Sequence, residues 1–389
     1  MNCIRRSCQS ALSTPQSIHP FSNGSRRAFS RNSACQRRAL PTFLEPSTPE
    51  LASLLTALNS KVLLPEHLTP EQQKLVYRQE NRARLEAEPI EITLGDVTLP
   101  LEHIDRNRDI PDRWRTVKGI VEGSKTLDDW KNVIRMMEGF RNASIQLKPQ
   151  WQKKIVRSLN QAGMQHLVLK ALQQPRETGL RLRDPTVAHH VFRGIHEKAA
   201  GAGWAEEETK KALSLAEQVI ELLEDKEHLG GAQPVPGDLR SSPFVIAIPL
   251  EMAAVRAKKH TAGQDADRKV AKYASRLMNS LHQDNFLSST LPQEFQFLNP
   301  PRDFPTKRDH LLATIHLKRS IFQLVPLLSA LKTALDVLGQ DMPRTQEAQQ
   351  LVNDIQKALK QGKSFIQKNK NSKNYDGSAL KAIEDVEKL

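Results

Sequence analysis

From residue 127 onward, large apolar residues recur every three or four positions, and this spacing constrains the fold more than any other feature of the sequence. It places apolar side chains along one face of an α-helix. The period begins at Leu127, Trp151 and Val187 in three successive segments and is strongest between Leu317 and Leu338. A helix with one apolar face has to bury it against another helix. The sequence therefore predicts an all-α fold of stacked helical hairpins, similar to an α-solenoid.

Local signals refine this prediction at three places. Residues 90–99 alternate apolar and polar side chains around Gly95-Asp96, which indicates one small β-hairpin. Thr69, followed by Pro70, is a strong N-cap and helix start. Pro326 lies inside the longest apolar period, so we expect a kink or a break into two helices near Val325.

Composition shifts divide the chain into seven predicted parts. They are a presequence (1–29), a linker (30–48), N-terminal helices with the small hairpin (49–125), a basic helical-repeat block (126–229), an exposed loop (230–243), a C-terminal helical domain (244–367), and a Lys-rich tail with a short terminal helix (368–389).

Residues 1–44 contain seven Arg and many Ser, with no Lys and no acidic residue. This composition is typical of a mitochondrial presequence. Arg27 lies two residues before Phe29, so we expect processing between Phe29 and Ser30 and a mature protein in the mitochondrial matrix. The alternative is a basic arm that stays attached and contacts nucleic acid.

The repeat block matches itself at an offset of 36 residues. The aligned pairs are Pro149 with Pro185, Ile155 with Val191, Val156 with Phe192, Arg157 with Arg193, and Leu159 with Ile195. A proline at a helix start followed by the same apolar and basic pattern is typical of helical-hairpin repeats, because a single hairpin cannot bury its own apolar face. The offset therefore predicts at least two stacked hairpins.

In residues 148–185, Pro149, the apolar pair Ile155-Val156 and the second apolar helix at Leu167–Leu172 resemble the pentatricopeptide repeat, found in organellar helical-hairpin proteins that bind RNA. The resemblance implies that Lys153 and His189 occupy the base-reading positions, where that family generally has small polar residues. It therefore favours phosphate or shape recognition over base-by-base reading.

The chain has 57 Lys and Arg against 44 Asp and Glu, a net charge of +13. Residues 126–200 have a balance of +7, and the following segment, 201–250, has a balance of −5. We interpret the basic side chains as RNA-binding candidates: Lys131, Arg135, Arg141, Lys148, Lys153, Lys154, Arg157, Lys170, Arg181 and Arg183, together with Lys368, Lys370 and Lys373 of the tail. Lys153, Lys154 and Arg157 are expected on the face of their helix opposite the apolar stripe. The alternative is a solvated face that only keeps the protein soluble.

No pattern points to catalysis. The three Cys lie at Cys3, Cys8 and Cys35, and there is no phosphate-binding loop, dinucleotide fingerprint or nucleophile elbow. His189, His190 and His196 have no accompanying metal-ligand spacing and are interpreted as polar-face or core-edge residues. The tryptophans Trp130, Trp151 and Trp204 are expected to be packing anchors. We expect no enzyme activity, metal, cofactor or small-molecule substrate.

These features favour an RNA-associated structural protein of the mitochondrial ribosome. Its expected partners are mitochondrial rRNA or mRNA and mitochondrial ribosomal proteins, with possible peripheral association with the inner membrane. A spanning helix is not expected, since no stretch approaches about 18 uninterrupted apolar residues. Two alternatives stay open: a factor for mitochondrial mRNA processing or translation, and a protein scaffold or respiratory-complex assembly factor.

Overall fold

The computed structural model describes residues 39–88, 90–233, 235, 237–283, 285–301, 304–368 and 377–388. The first helices are α1 (Pro49–Ala57), α2 (Leu64–His67), α3 (Pro70–Tyr77), α4 (Arg82–Ala87), α5 (Arg113–Gly123), α6 (Leu127–Asn142), α7 (Pro149–Gln161), α8 (Gln165–Gln173), α9 (Pro175–Thr178), α10 (Pro185–Gly201) and α11 (Glu206–Leu223). The later helices are α12 (Pro243–His260), α13 (Lys269–Leu281), α14 (Leu291–Leu298), α15 (Lys307–Leu338), α16 (Thr345–Lys368) and α17 (Ser378–Glu387). Short π-helical turns lie at Leu58–Leu63 and Phe286–Thr290, and 3₁₀ turns at Gln79–Asn81 and Gly339–Asp341.

The two strands within the described residues form the expected hairpin. Strand β1 (Glu91–Leu94) pairs antiparallel with β2 (Val97–Pro100), with Ile92 opposite Leu99. Gly95 has a φ of +68°, the left-handed conformation that glycine adopts without strain. The predicted all-α fold with one small hairpin is confirmed.

Side-chain caps define several helix starts. The Thr69 hydroxyl accepts from the amide of Gln72, whose side chain accepts in return from the Thr69 amide, and Pro70 opens α3 as predicted. Thr126 and Asp129 make the same reciprocal pair at the start of α6. Each pair satisfies two amides that the first helical turn leaves without a partner.

Helix pairs stack in two rows. In the first row, α7 packs between α5 and α10, and α10 packs in turn on α12. In the second row, α8 packs between α6 and α11. Each first-row helix also contacts the helix that follows it in the second row, which is the arrangement of stacked helical hairpins.

Gly194 on α10 allows the first-row helices α7 and α10 to approach closely. A Cβ at this position would lie 2.6 Å from the Oδ1 of Asn160 on α7 and closer still to its Cγ and Nδ2. The Asn160 amide donates to the His190 carbonyl at 2.8 Å and ties the two helices together. The missing side chain at residue 194 therefore sets the spacing of the two predicted repeats.

Helix α15 runs unbroken through Pro326, so of the expected kink or break near Val325 the break into two helices is wrong. Pro326 and the adjoining Val325 and Leu327 are buried, and α12 packs along this helix. A proline inside a helix costs about 3 kcal/mol, whereas each fully buried large apolar side chain contributes about 1.5–3 kcal/mol. Packing along this helix outweighs the proline.

The same helix is apolar enough to meet the length and composition of a membrane span. The most apolar 18-residue window within Lys307–Asp341 has a mean hydropathy of 1.6, and 67% of that window is buried within the protein. Its apolar run is nevertheless interrupted by Lys332 and Asp336, in agreement with the sequence analysis. The burial fits a core helix, on which α12, α13, α14, α16 and α17 all pack.

The described part of the expected linker, residues 39–48, is bound as an extended strap along α6. The carboxylate of Asp129 accepts from the Ser47 amide at 2.9 Å and from its hydroxyl at 2.7 Å. Asn132 exchanges two hydrogen bonds with the backbone of Leu44, at 2.7 and 2.9 Å. Leu40 is buried near the start of the strap. One face of α6 therefore binds the strap through hydrogen bonds.

Candidate nucleic-acid interface

Several of the predicted RNA-binding side chains are engaged within the protein. Ion pairs join Lys131 to Asp128 (2.8 Å), Lys154 to Glu122 (3.0 Å) and Arg181 to Glu227 (3.0 Å). Arg135 donates to the backbone carbonyl of Thr42 in the strap, and Arg141 donates to the carbonyl of Arg176 at 3.2 Å. The acidic segment thus neutralises part of the basic block, because Glu227 pairs with Arg176 as well as Arg181.

The position of Lys154 corrects the expected face of α7. Lys153, Lys154 and Arg157 do not form one exposed stripe, because Lys154 turns toward α5 and its side chain is only 24% exposed. Helix α5 packs on α7 and carries the acid, Glu122, that holds it. The exposed member of the three is Arg157, and Lys153 is half-buried.

The other candidates have no ion pair within the described part of the chain. Lys148, Arg157, Lys170, Arg183 and Lys368 are exposed. Lys370 and Lys373 lie outside the described residues, as does the predicted processing site at Phe29 and Ser30. Fewer basic side chains are therefore available to bind RNA than the sequence predicts. Two of those without an ion pair in the described residues, Lys153 and Arg157, lie on the same helix, α7.

Lys153 and Arg157 belong to a cluster of positive charge that three helices build. We call it the basic cluster and define it as Lys153 and Arg157 of α7, His189 and Arg193 of α10, and Arg319 of α15. The charges of Arg319, Arg193 and Lys153 all act on His189, and those of Lys153, Arg193 and Arg157 act on the adjoining His190. His189, Arg193 and Arg319 also line a small cavity of about 70 Å³ between α10, α12 and α15.

His189 of the basic cluster and the adjoining His190 are both neutral at neutral pH. Burial is the main cause that lowers the pKa of His189 to about 4, and the charges of Arg319, Arg193 and Lys153 contribute to the same lowering. Burial also lowers the pKa of His190 to about 3, again with the help of neighbouring positive groups. Both lowered pKa values reflect burial first, and the neighbouring positive charges add to the effect.

Arg193 is held in a fixed orientation. Its guanidinium lies over the ring of Phe322 at 3.3 Å from the centroid, and its Nε donates to Glu197 at 2.7 Å. Such stacking orients the planar group but leaves its other N–H donors available. Glu197 offsets part of the charge, so the excess positive charge of the cluster rests on Lys153, Arg157 and Arg319.

Sequence reasoning missed Arg193 and Arg319 as site residues. The 36-residue offset aligns Arg193 with Arg157, so the repeat carried a signal for the first of these. Arg319 is more than 100 residues away in the chain and reaches the cluster only because α15 packs against α10. No local pattern marks such a residue.

His196 and the three tryptophans considered in the sequence analysis have packing roles inside the protein. His196 is buried and bonded to the buried Glu251 at 2.8 Å. Trp130 and Trp204 are 5% exposed, and Trp151 stacks on Trp114 with ring centroids 5.3 Å apart, as expected for packing anchors. Within the described residues, no group of three or more His, Asp and Glu side chains could hold a metal ion.

Comparison with known proteins identifies the family. The family model described as mitochondrial ribosomal protein mS27 matches residues 27–385. The chain belongs to this family. It is also 25% identical over 316 residues to the small ribosomal subunit protein mS27 of Neurospora crassa, a match that covers 77% of each chain.

Family membership confirms the ribosomal part of the first functional hypothesis. The chain is a component of the mitochondrial ribosome and takes part in organellar translation. It is accordingly a mitochondrial protein whose partners are other ribosomal proteins and rRNA. The expected inner-membrane association has no support in these comparisons.

Proposed function

We propose that the chain is a non-catalytic protein of the small ribosomal subunit in the mitochondrial matrix, and that its basic cluster binds phosphates of the ribosomal RNA. The observation that carries this proposal is the convergence of Lys153 and His189. They occupy equivalent positions, 36 residues apart, in two stacked hairpins; the charges of Arg193 and Arg319 act on His189, and that of Arg157 acts on the adjoining His190. The assignment to the small subunit follows the name of the Neurospora crassa relative.

The chemistry of the cluster suits phosphates better than bases. Lysine and arginine contribute charge that neutralises phosphates, and each neutralised phosphate adds a salt-sensitive increment of affinity. The neutral His189 adds a ring N–H donor beside them. We infer that the hairpins of residues 126–229 are pentatricopeptide-like in architecture and present a phosphate-binding surface in place of a base-reading one.

The charge reversal Lys153→Glu with Arg157→Glu tests this proposal. A tagged chain carrying both changes is expressed in mitochondria that lack the native protein, and its RNA is recovered after ultraviolet crosslinking at increasing KCl. We expect loss of the ribosomal RNA crosslinks and a flatter dependence on salt, by roughly 0.7–0.9 in the logarithmic slope for each phosphate contact removed.

The matched control reverses the same number of charges elsewhere. Arg84 on α4 and Lys210 on α11 are exposed bases outside the basic cluster, and Arg84→Glu with Lys210→Glu should leave the crosslinks and their salt slope unchanged. Equal losses in both double variants would mean that general charge, and not the basic cluster, binds the RNA. Crosslinks to one or a few mRNAs in place of rRNA would favour the role of an mRNA factor.

A further inference from the structure

An apolar stripe on the N-terminal half of α15 faces away from the protein. Leu311 is 47% exposed, Leu312 is 42% exposed and Ile315 is 49% exposed. Their spacing of one, three and four residues places them on the same face of the helix. They are three of the five large apolar side chains that the described part of the chain leaves exposed, and we call them the α15 stripe.

The opposite face of α15 is fixed in the core, so the stripe cannot turn inward. Leu317 and Ile321 are fully buried. The Ser320 hydroxyl donates to the buried carboxylate of Glu294 on α14, and His316 stacks on Phe297 of α14 with ring centroids 4.5 Å apart. The helix is held by one side while three aliphatic side chains stand in water on the other.

Two arginines bracket the stripe on the same face. Arg308 precedes Leu311 by three residues and Arg319 follows Ile315 by four. Both are exposed, and neither forms an ion pair within the described residues. The nearby acid Asp309 is used in the helix cap, where it accepts from the Thr306 hydroxyl at 2.8 Å. The face is therefore apolar at its centre and positive at both ends.

We propose that the α15 stripe is the docking site of an amphipathic helix from a neighbouring mitochondrial ribosomal protein, with apolar residues over the stripe and Asp or Glu over the arginines. The two arginines are 11 residues apart, about 16 Å along a helix axis, which matches three turns of a partner helix. Apolar anchors in a charged rim are the usual anatomy of such contacts. RNA would satisfy the arginines but leave the three aliphatic side chains without partners. The proposal rests on the ribosomal role of the family.

A photocrosslinking amino acid at position 312 of the full chain tests the proposal in purified ribosomal subunits. The expected crosslink is to a single peptide of one other ribosomal protein, with apolar residues three and four positions apart and an acidic residue within a turn of either end. The same reagent at Leu127, which is 43% exposed on α6, serves as the matched site and should not give this peptide. Crosslinks from position 312 to rRNA, to lipid or to a second copy of this chain, or no crosslink, would overturn the proposal.

The triple variant Leu311→Gln, Leu312→Gln and Ile315→Gln supplies an independent readout. Glutamine keeps good helix propensity and the positions are exposed, so the circular dichroism spectrum should not change. We expect loss of the crosslinked peptide and at least a tenfold lower affinity for the partner protein, and the reversal Arg308→Glu should weaken binding in the same direction. Arg319 is left in place because it also belongs to the basic cluster.

The two proposals fail separately. The triple variant should retain the rRNA crosslinks of the basic cluster, whereas Lys153→Glu with Arg157→Glu should retain the protein crosslink at position 312. Normal partner affinity in the triple variant would contradict the docking proposal whatever happens to the RNA.

Discussion

The substitution Gly194→Ala should loosen the stack of α7 on α10, because the new methyl group would occupy the space of the Asn160 side chain. A Cβ at residue 194 would lie 2.6 Å from Asn160 Oδ1, well inside van der Waals contact. Overpacking of this kind costs about 1–3 kcal/mol, and displacing Asn160 breaks its bond to the His190 carbonyl, worth about 1 kcal/mol. Alanine recovers up to about 1 kcal/mol of helix propensity. The expected net loss is about 1–3 kcal/mol.

Urea unfolding followed by circular dichroism measures this loss, and the same helix supplies the control. Gly201, at the end of α10, has no atom within 4 Å of an added Cβ, so Gly201→Ala should be neutral or slightly stabilising. Asn160→Ala alone should cost about 1 kcal/mol. Because Asn160→Ala removes the side chain with which the new methyl group would clash, the double variant Asn160→Ala with Gly194→Ala should be no less stable than Asn160→Ala alone. Additive losses, or a Gly194→Ala variant as stable as Gly201→Ala, would refute the close-approach argument.

Three further predictions concern buried ionisable groups. Asp129→Ala should lower the free energy of unfolding by about 3–5 kcal/mol, since it removes the acceptor of the strap and helix-cap amides. Burial opposes ionisation of Asp129, but these hydrogen bonds hold its pKa well below the usual range. The stability difference between variant and wild type, measured by urea unfolding, should therefore shrink as the pH falls through that lowered pKa. Glu251→Gln should also destabilise the fold. Burial alone would lower the pKa of His196, but the charge and hydrogen bond of Glu251 raise it above the usual value. The stabilising contribution of the pair is therefore full below about pH 6.5 and is lost as the pH rises through the raised pKa, which urea unfolding of both proteins at a series of pH values would show. RNA binding should raise the pKa of His189 from about 4, because a bound phosphate would offset the neighbouring cations. NMR titration of the free and the RNA-bound protein measures this change, and an unchanged pKa would mean that no phosphate lies beside His189.

The elements that the sequence predicts correctly depend on local chemistry. The start of α3 at Pro70 follows from the Thr69 cap, and the hairpin around Gly95 follows from alternation and a turn residue that tolerates positive φ. The 36-residue offset between Pro149 and Pro185 correctly places the starts of α7 and α10. In each case the determining residues lie within one or two turns of the feature.

The elements that the sequence does not predict depend on contacts between distant segments. Lys154 is an exposed base by its helical position, yet an acid on α5 holds it. Arg135 is likewise bound to the strap, although the amino-acid composition of the strap is that of a free linker. Arg319 joins the basic cluster only through the packing of α15, and Pro326 is accommodated for the same reason. Tertiary packing decides which charges stay free.

The proposed function places the basic cluster against ribosomal RNA in the assembled small subunit. The most direct measurement is peptide-level mapping of protein–RNA crosslinks in intact, purified mitochondrial small subunits. We expect rRNA crosslinks on peptides of α7 and α10 that contain Lys153, Arg157 and His189. Crosslinks confined to other parts of the chain, with these peptides recovered unmodified, would contradict it.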